Sequence, residues 1–173
     1  MLQDGKVKQI DEDTYLLMYS TLIDLLAAHG YEHYEISNFA KPGYRSIHNS
    51  SYWRDVPYIG FGASAHSYNG KRRSWNIDNL QQYMLSIEAG SLPAEHEEID
   101  ADTHYNDLVT TAMRTVEGLD LEALSDEYKR YALQSATDSL NNGTIELYHN
   151  HLRLTRKGLF VSDTVMSDLI LIK

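Results

Sequence analysis

The chain has 173 residues, 42% hydrophobic and 23% charged, which is enough apolar mass for a packed core and too much for a disordered tail. Its formal net charge is −10, with 8 Lys/Arg against 10 Asp/Glu in residues 1–90 and 7 against 15 in residues 91–173; a duplex-binding surface needs cations to displace phosphate counterions, so a nucleic-acid partner is disfavoured. There is no cysteine, which excludes disulfides, thiolate zinc sites, a cysteine nucleophile and thiolate-held iron–sulfur clusters together.

No apolar run approaches the ~20 residues of a membrane span, and the N-terminus shows no basic region followed by an apolar stretch. The expectation is a soluble, cytoplasmic protein without stable membrane insertion. Asp11, Glu12 and Asp13 favour a helix N-terminus. Tyr15, Tyr19, Leu22 and Leu26 then repeat at helical spacing, Leu16 and Ile23 widen the stripe, and Gly30 stops it. Tyr31–Ile36 is aromatic and β-branched enough for a strand. Residues 37–56 read as a long ordered loop turned by Pro42 and Gly43, and Tyr58–Ser67 as a short strand running into small residues. Asp78 is placed to cap a helix through Leu80, Tyr83, Met84 and Ile87, ended by Gly90 and Pro93.

After residue 100 the pattern changes. Asp102 or Thr103 starts a helix through Leu108, Val109, Ala112, Met113 and Val116, stopped by Gly118. Leu119, Leu121 and Leu124 mark a second short helix; Tyr131, Leu133, Ala136 and Leu140 mark a third, ended at Asn142-Gly143. Thr144–Tyr148 and His151–Thr155 alternate around His149-Asn150, a two-residue hairpin turn. A last helix runs from about Arg156 to Ile170. Helices, a hairpin and a helix follow the order of a winged helix.

Three segments carry candidate chemistry. Ser37 and Asn38 stand at the C-terminal end of a strand, where ligands collect in α/β folds. His48-Asn49-Ser50-Ser51-Tyr52-Trp53 sets an imidazole beside two large aromatics, suited to a planar ligand or a metal, and equally to a core histidine next to a packing tryptophan. Gly60-Phe61-Gly62-Ala63-Ser64-Ala65 offers small side chains that let backbone approach a ligand, without the third glycine of a dinucleotide fingerprint. The Glu95–Glu98 charge run reads as a solvated loop.

In this order, Tyr34–Gly43, His48-Asn49-Ser50-Ser51-Tyr52-Trp53 and Tyr58–Ser67 resemble the C-terminal half of the oxygen-independent coproporphyrinogen III oxidase-like radical S-adenosylmethionine (SAM) proteins, in particular their haem chaperone branch. Leu152–Leu159 resembles the family's small C-terminal domain. The resemblance implies an α/β to α+β chain: residues 1–90 would be the last strands and helices of a partial TIM-like barrel, and residues 91–173 a mostly helical, winged-helix-like domain. It implies haem or a porphyrin as ligand, with His48 as axial metal ligand among His48, Asn49, Tyr52 and Trp53. It also implies that the segment with Gly60, Gly62, Ala63, Ala65 and His66 approaches the SAM cofactor; Ser37 and Asn38, at their strand end, are further cofactor-binding candidates. The 4Fe-4S cluster that the family holds on a CxxxCxxC loop has no ligand here, so no catalytic residue is assigned and this chain alone should be inactive in radical chemistry. The alternatives are part of a decarboxylating oxidase, which turns propionates of coproporphyrinogen III into vinyl groups, and a winged-helix interaction or DNA-binding module. Strand 31–36 would present an open barrel edge through which the chain self-associates.

Overall fold

The computed structural model describes residues 10–172. The first element, α1 (Glu12–Ala28), begins where Asp11 accepts the Thr14 amide at 2.8 Å, with Glu12 and Asp13 in the first turn. Leu16, Tyr19, Ser20, Ile23 and Leu26 face the protein, at the spacing of one helix face. Tyr15, Met18, Leu22 and Leu25 face solvent, so Tyr15 and Leu22 of the expected stripe lie on the outer side.

Strand β1 (Glu32–Glu35) turns at Ile36-Ser37 and pairs antiparallel with β2 (Asn38–Ala40). On its other edge the Ile36 amide donates to the Arg114 carbonyl at 3.0 Å, and the Val116 amide to the Tyr34 carbonyl at 3.1 Å. The expected open edge is therefore covered from both sides at residues 34–36, because the chain returns along it 80 residues later. The expected loop 37–56 contains both β2 and a helix, α2 (Ile47–Trp53).

Tyr58 makes only an isolated bridge to Tyr68 in place of the strand expected at 58–67. The strand comes later, as β3 (His66–Tyr68), in an antiparallel sheet with β4 (Arg72–Asn76) and β5 (Ala94–Glu98) in the order β3-β4-β5. The acidic run of β5 is thus a strand. Arg72 meets Glu98 at 2.5 Å and Arg73 meets Glu97 at 3.1 Å across the ladder; these neighbouring pairs lie on opposite faces, so the exposed carboxylates are paired on both sides of the sheet. Between β4 and β5 lies α3 (Leu80–Glu88), capped by Asn79 and not by Asp78, since it is Asn79 that accepts the Gln82 amide.

The main core sits in the second half. In α4 (Ala101–Ala112), capped by Asp100, Tyr105 and Val109 are fully buried, with Met113 just beyond. They pack with Leu119, Leu121, Ala132, Ala136, Ile145, Leu152, Val165 and Leu169. Leu119 and Leu121 do not start a helix. Leu119 opens β6 (Leu119–Asp120), and both side chains are buried, as the spacing of two allows when a strand enters the core. The third expected helix is two, α5 (Asp126–Ser135) and α6 (Thr137–Asn142), separated at Ala136. The hairpin β7 (Ile145–Tyr148) and β8 (His151–Leu154) forms as read, with φ of 46° and 62° at His149 and Asn150. β8 lies between β6 and β7. The last helix is also divided, into α7 (Arg156–Leu159) and α8 (Ser162–Leu169). Arg156 reaches back to α1, meeting Asp24 at 2.5 Å and Ser20 Oγ at 2.7 Å. No described helix is long and apolar enough to cross a membrane.

Candidate functional site

Helix α2 is short and starts where Ser46 Oγ accepts the Asn49 amide at 3.3 Å. A spacing of four stacks His48 over Tyr52 on its outer face, with Nε2 and Oη 3.0 Å apart. The Tyr52 ring stands edge-on to Tyr58 at 4.7 Å. His48 and Asn49 are exposed. Trp53 is turned the other way, edge-on to the buried Tyr34 at 6.0 Å. The motif therefore splits, with His48 and Tyr52 outward and Trp53 inward.

Behind α2 lies a cleft of about 440 Å³ between α2, α4 and β6, floored by Tyr34, Trp53, Leu108, Ala112 and Leu119. Its polar side holds residues that sequence reasoning did not single out. Arg45 bridges Glu32 at 2.8 Å and Glu117 at 2.7 Å. Asp55, at φ 56°, accepts the Tyr68 hydroxyl at 2.5 Å and faces His104 Nε2 at 2.9 Å. Burial, and then the Asp55 carboxylate, push the Tyr68 hydroxyl well above the usual tyrosine range. Asp55 and His104 are 49 residues apart, and no local pattern joins them.

Ser37 and Asn38 do stand at the end of β1, but their partner is a buried side chain. The Ser37 amide and Asn38 Nδ2 both donate to Glu35 Oε2, at 2.9 and 2.5 Å. Glu35 Oε1 takes Arg114 Nε at 2.8 Å and Nη2 at 2.7 Å. Burial, followed by the Glu35 charge, raises the nearby Tyr19 hydroxyl, which donates to the Ile36 carbonyl at 2.6 Å.

The glycine-rich stretch is a compact loop whose polar backbone is largely used internally. Gly60 N donates to Ser67 Oγ at 3.0 Å, Gly62 N to the Tyr83 hydroxyl at 3.2 Å, and the buried Asn76 gives Nδ2 to the Gly62 carbonyl at 2.8 Å. The Ala65 carbonyl accepts the Asn76 amide at 2.9 Å. A Cβ on Gly60 would stand 2.2 Å from the His66 carbonyl oxygen, so the close backbone approach here is to this chain's own strand. Ala63 is half-buried in the same loop. His66 is exposed, tilted against Trp75 at 6.3 Å, beside a second cavity of about 420 Å³. Among the described residues, no group of three or more His, Asp or Glu side chains is arranged to hold a metal ion.

No family model matches the chain. Among curated proteins, it is 31% identical over 171 residues to the heme chaperone HemW of Bacillus subtilis, covering 95% of this chain and 45% of that protein. It is 29% identical over 167 residues to HemW of Mycobacterium tuberculosis, covering 96% and 42%. A segment of 56 residues is 46% identical to HemW of Escherichia coli, covering 32% of this chain and 15% of that protein. Among solved structures, the coproporphyrinogen III oxidase HemN of Escherichia coli, described as a radical SAM enzyme, superposes with a TM-score of 0.68 at 16% identity. That superposition covers 96% of this chain and 44% of HemN. The chain thus spans less than half the length of these long matches.

Proposed function

Because the chain is a HemN/HemW-like C-terminal portion, we propose that it serves haem or porphyrin handling in a radical SAM protein, through haem binding and transfer. The observation that carries this reading is the exposed His48 on α2, within the segment that resembles the haem chaperones. An imidazole nitrogen suits haem iron, and the macrocycle needs apolar walls. Tyr44, Ile47, Ile59 and Phe61, flanking His48 in sequence, leave apolar side chains in solvent, Ile47 and Phe61 almost completely (86% and 87%). Their exposure is what supports a planar apolar ligand such as haem at this helix. His48 would hold the iron, Tyr52 would orient the ring through its contact with the imidazole, and Asn49 and Trp53 would support the helix. Bound haem would supply the iron centre; the chain would supply the imidazole ligand and its orientation.

A 4Fe-4S cluster does not fit the residues present, since the chain has no thiolate. Ser37, Asn38, Gly60, Gly62, Ala63, Ala65 and His66 are proposed only as surface that would face SAM in a complete member. We read residues 1–90 as the end of a partial barrel and 91–173 as a winged-helix-like unit; the superposition on HemN supports this reading, although every described strand pairing is antiparallel and the β4–β5 pairing joins the two stretches. We read the protein as cytoplasmic and as self-associating through the apolar outer face of α1.

Titration with ferric haem, followed at the Soret band, tests this reading. His48→Ala is expected to weaken the shift, and His96→Ala, on exposed β5, to leave it unchanged. Equal titrations of the wild type and His48→Ala would end it.

A further inference from the structure

We propose that Asp55 is a positioning residue for the His48 helix: its carboxylate fastens the end of α2 to β3 and α4. The functional part of this inference rests on the haem reading above; the fastening does not.

Helix α2 has seven residues, and an isolated helix needs about 12–15 to be even marginal in water. Its one buried residue is Ser50, and Ile47, His48 and Asn49 face solvent. Local hydrogen bonding and one small buried side chain do not account for its fixed placement, so tertiary anchors must. Trp53 against Tyr34 is one. Asp55 is the other. The chain leaves α2 through Arg54 and turns at Asp55 with φ 56°. A glycine would take this left-handed position without strain. An aspartate there has a use for its side chain. Its Oδ1 accepts the hydroxyl of Tyr68, in β3, at 2.5 Å, and its Oδ2 faces Nε2 of His104, in the first turn of α4, at 2.9 Å. One carboxylate thus spans three elements. From Tyr68 the contacts return to the site: Tyr68 bridges to Tyr58, whose ring lies on Tyr52, which meets His48.

Three variants test this. Asp55→Gly relieves the backbone strain but removes both side-chain bonds. Asp55→Asn keeps the left-handed preference and an acceptor oxygen for Tyr68. His48→Ala removes the proposed ligand. Hydrogen exchange is read at the amides of α2 and of the β7–β8 hairpin, and haem binding by Soret titration with ferric haem. In Asp55→Gly we expect α2 amides to exchange about tenfold faster, as loss of a charge-assisted pair of bonds implies. The hairpin should be unchanged, haem should bind about five- to tenfold more weakly, and Asp55→Asn should restore most of both. Unchanged α2 exchange in Asp55→Gly would overturn the proposal. So would faster exchange throughout the chain, which would mark a general structural role, and so would a loosened α2 with undiminished haem binding. If His48→Ala and wild type bind haem equally, the haem reading falls instead, and the exchange at α2 alone decides whether Asp55 fastens the helix.

Discussion

Replacing Arg114 with methionine would leave a carboxylate buried without its cation. The Glu35 side chain is 1% exposed, and it accepts three hydrogen bonds, from Ser37, Asn38 and Arg114 Nε, with Arg114 Nη2 a further ion-pair contact at 2.7 Å. Removing one partner of a buried pair costs about 3–5 kcal/mol. Arg114 is itself about a third exposed, so water can reach its side of the pair and replace part of what is lost. That lowers the expected cost to about 2–3 kcal/mol, discounting the buried-pair range for solvent. At roughly 2–4 °C per kcal/mol for a chain of this length, the melting temperature should fall by about 4–12 °C. Glu35→Gln should cost about 2 kcal/mol, because its amide must present donors to donors whichever way it turns. The double variant should be little worse than either single one, giving a coupling of about 2 kcal/mol in urea-denaturation midpoints. A coupling under about 0.5 kcal/mol would refute the reasoning that Glu35 and Arg114 stabilise the fold as a pair.

The Arg156 hydrogen bond lowers the Asp24 carboxyl from 3.8. Asp24 therefore stabilises the docked α1 fully above about pH 3.8 and loses that contribution as pH falls through the lower folded value; exchange at α1 amides across acid pH should show this, and an identical profile in Asp24→Asn would contradict it. Gly118 has φ 77° and its Cβ would stand 2.2 Å from the Leu152 carbonyl oxygen, whereas Gly143 has φ 76° and open space. Gly118→Ala should cost about 3 kcal/mol or more and Gly143→Ala about 1 kcal/mol; equal melting shifts would contradict the close packing. Self-association through Tyr15, Met18, Leu22 and Leu25 predicts a molar mass above the 19.8 kDa monomer at high concentration, reduced by Leu22→Glu. Light scattering that gives a monomer throughout a dilution series would end that reading.

Elements with local chemistry were legible in the sequence. Asp11 and Gly30 bracket α1, and the turn at His149-Asn150 joins two strands whose alternation survives folding. The β3-β4-β5 sheet was not legible. Arg72-Arg73-Ser74-Trp75-Asn76 and Ala94-Glu95-His96-Glu97-Glu98 have no alternating apolar face, and they become strands through pairing with each other about 20 residues apart. The spacing of Leu119, Leu121 and Leu124 suits a short helix but also a strand, and burial of the first two decides for the strand. His48 and Tyr52 meet as an i, i+4 pair, which spacing alone allows. Asp55, His104 and the Glu35–Arg114 pair depend on contacts 49 and 79 residues apart, and no window of sequence contains them.

The bond between Arg156 and α1 has a consequence for the order of events during synthesis. Arg156 leaves the ribosome 132 residues after its partner Asp24, so α1 is complete long before this anchor exists. Until then its inner face, with Leu16, Tyr19 and Ile23, lacks the contacts of α7 and of Phe160 just beyond it, whose ring stands edge-on to Tyr19. A nascent chain halted before residue 156 would therefore carry a helix docked on β1, through contacts such as the Tyr19 hydroxyl on the Ile36 carbonyl, but open to proteases and holdase chaperones on the flank that residues 156–160 later cover.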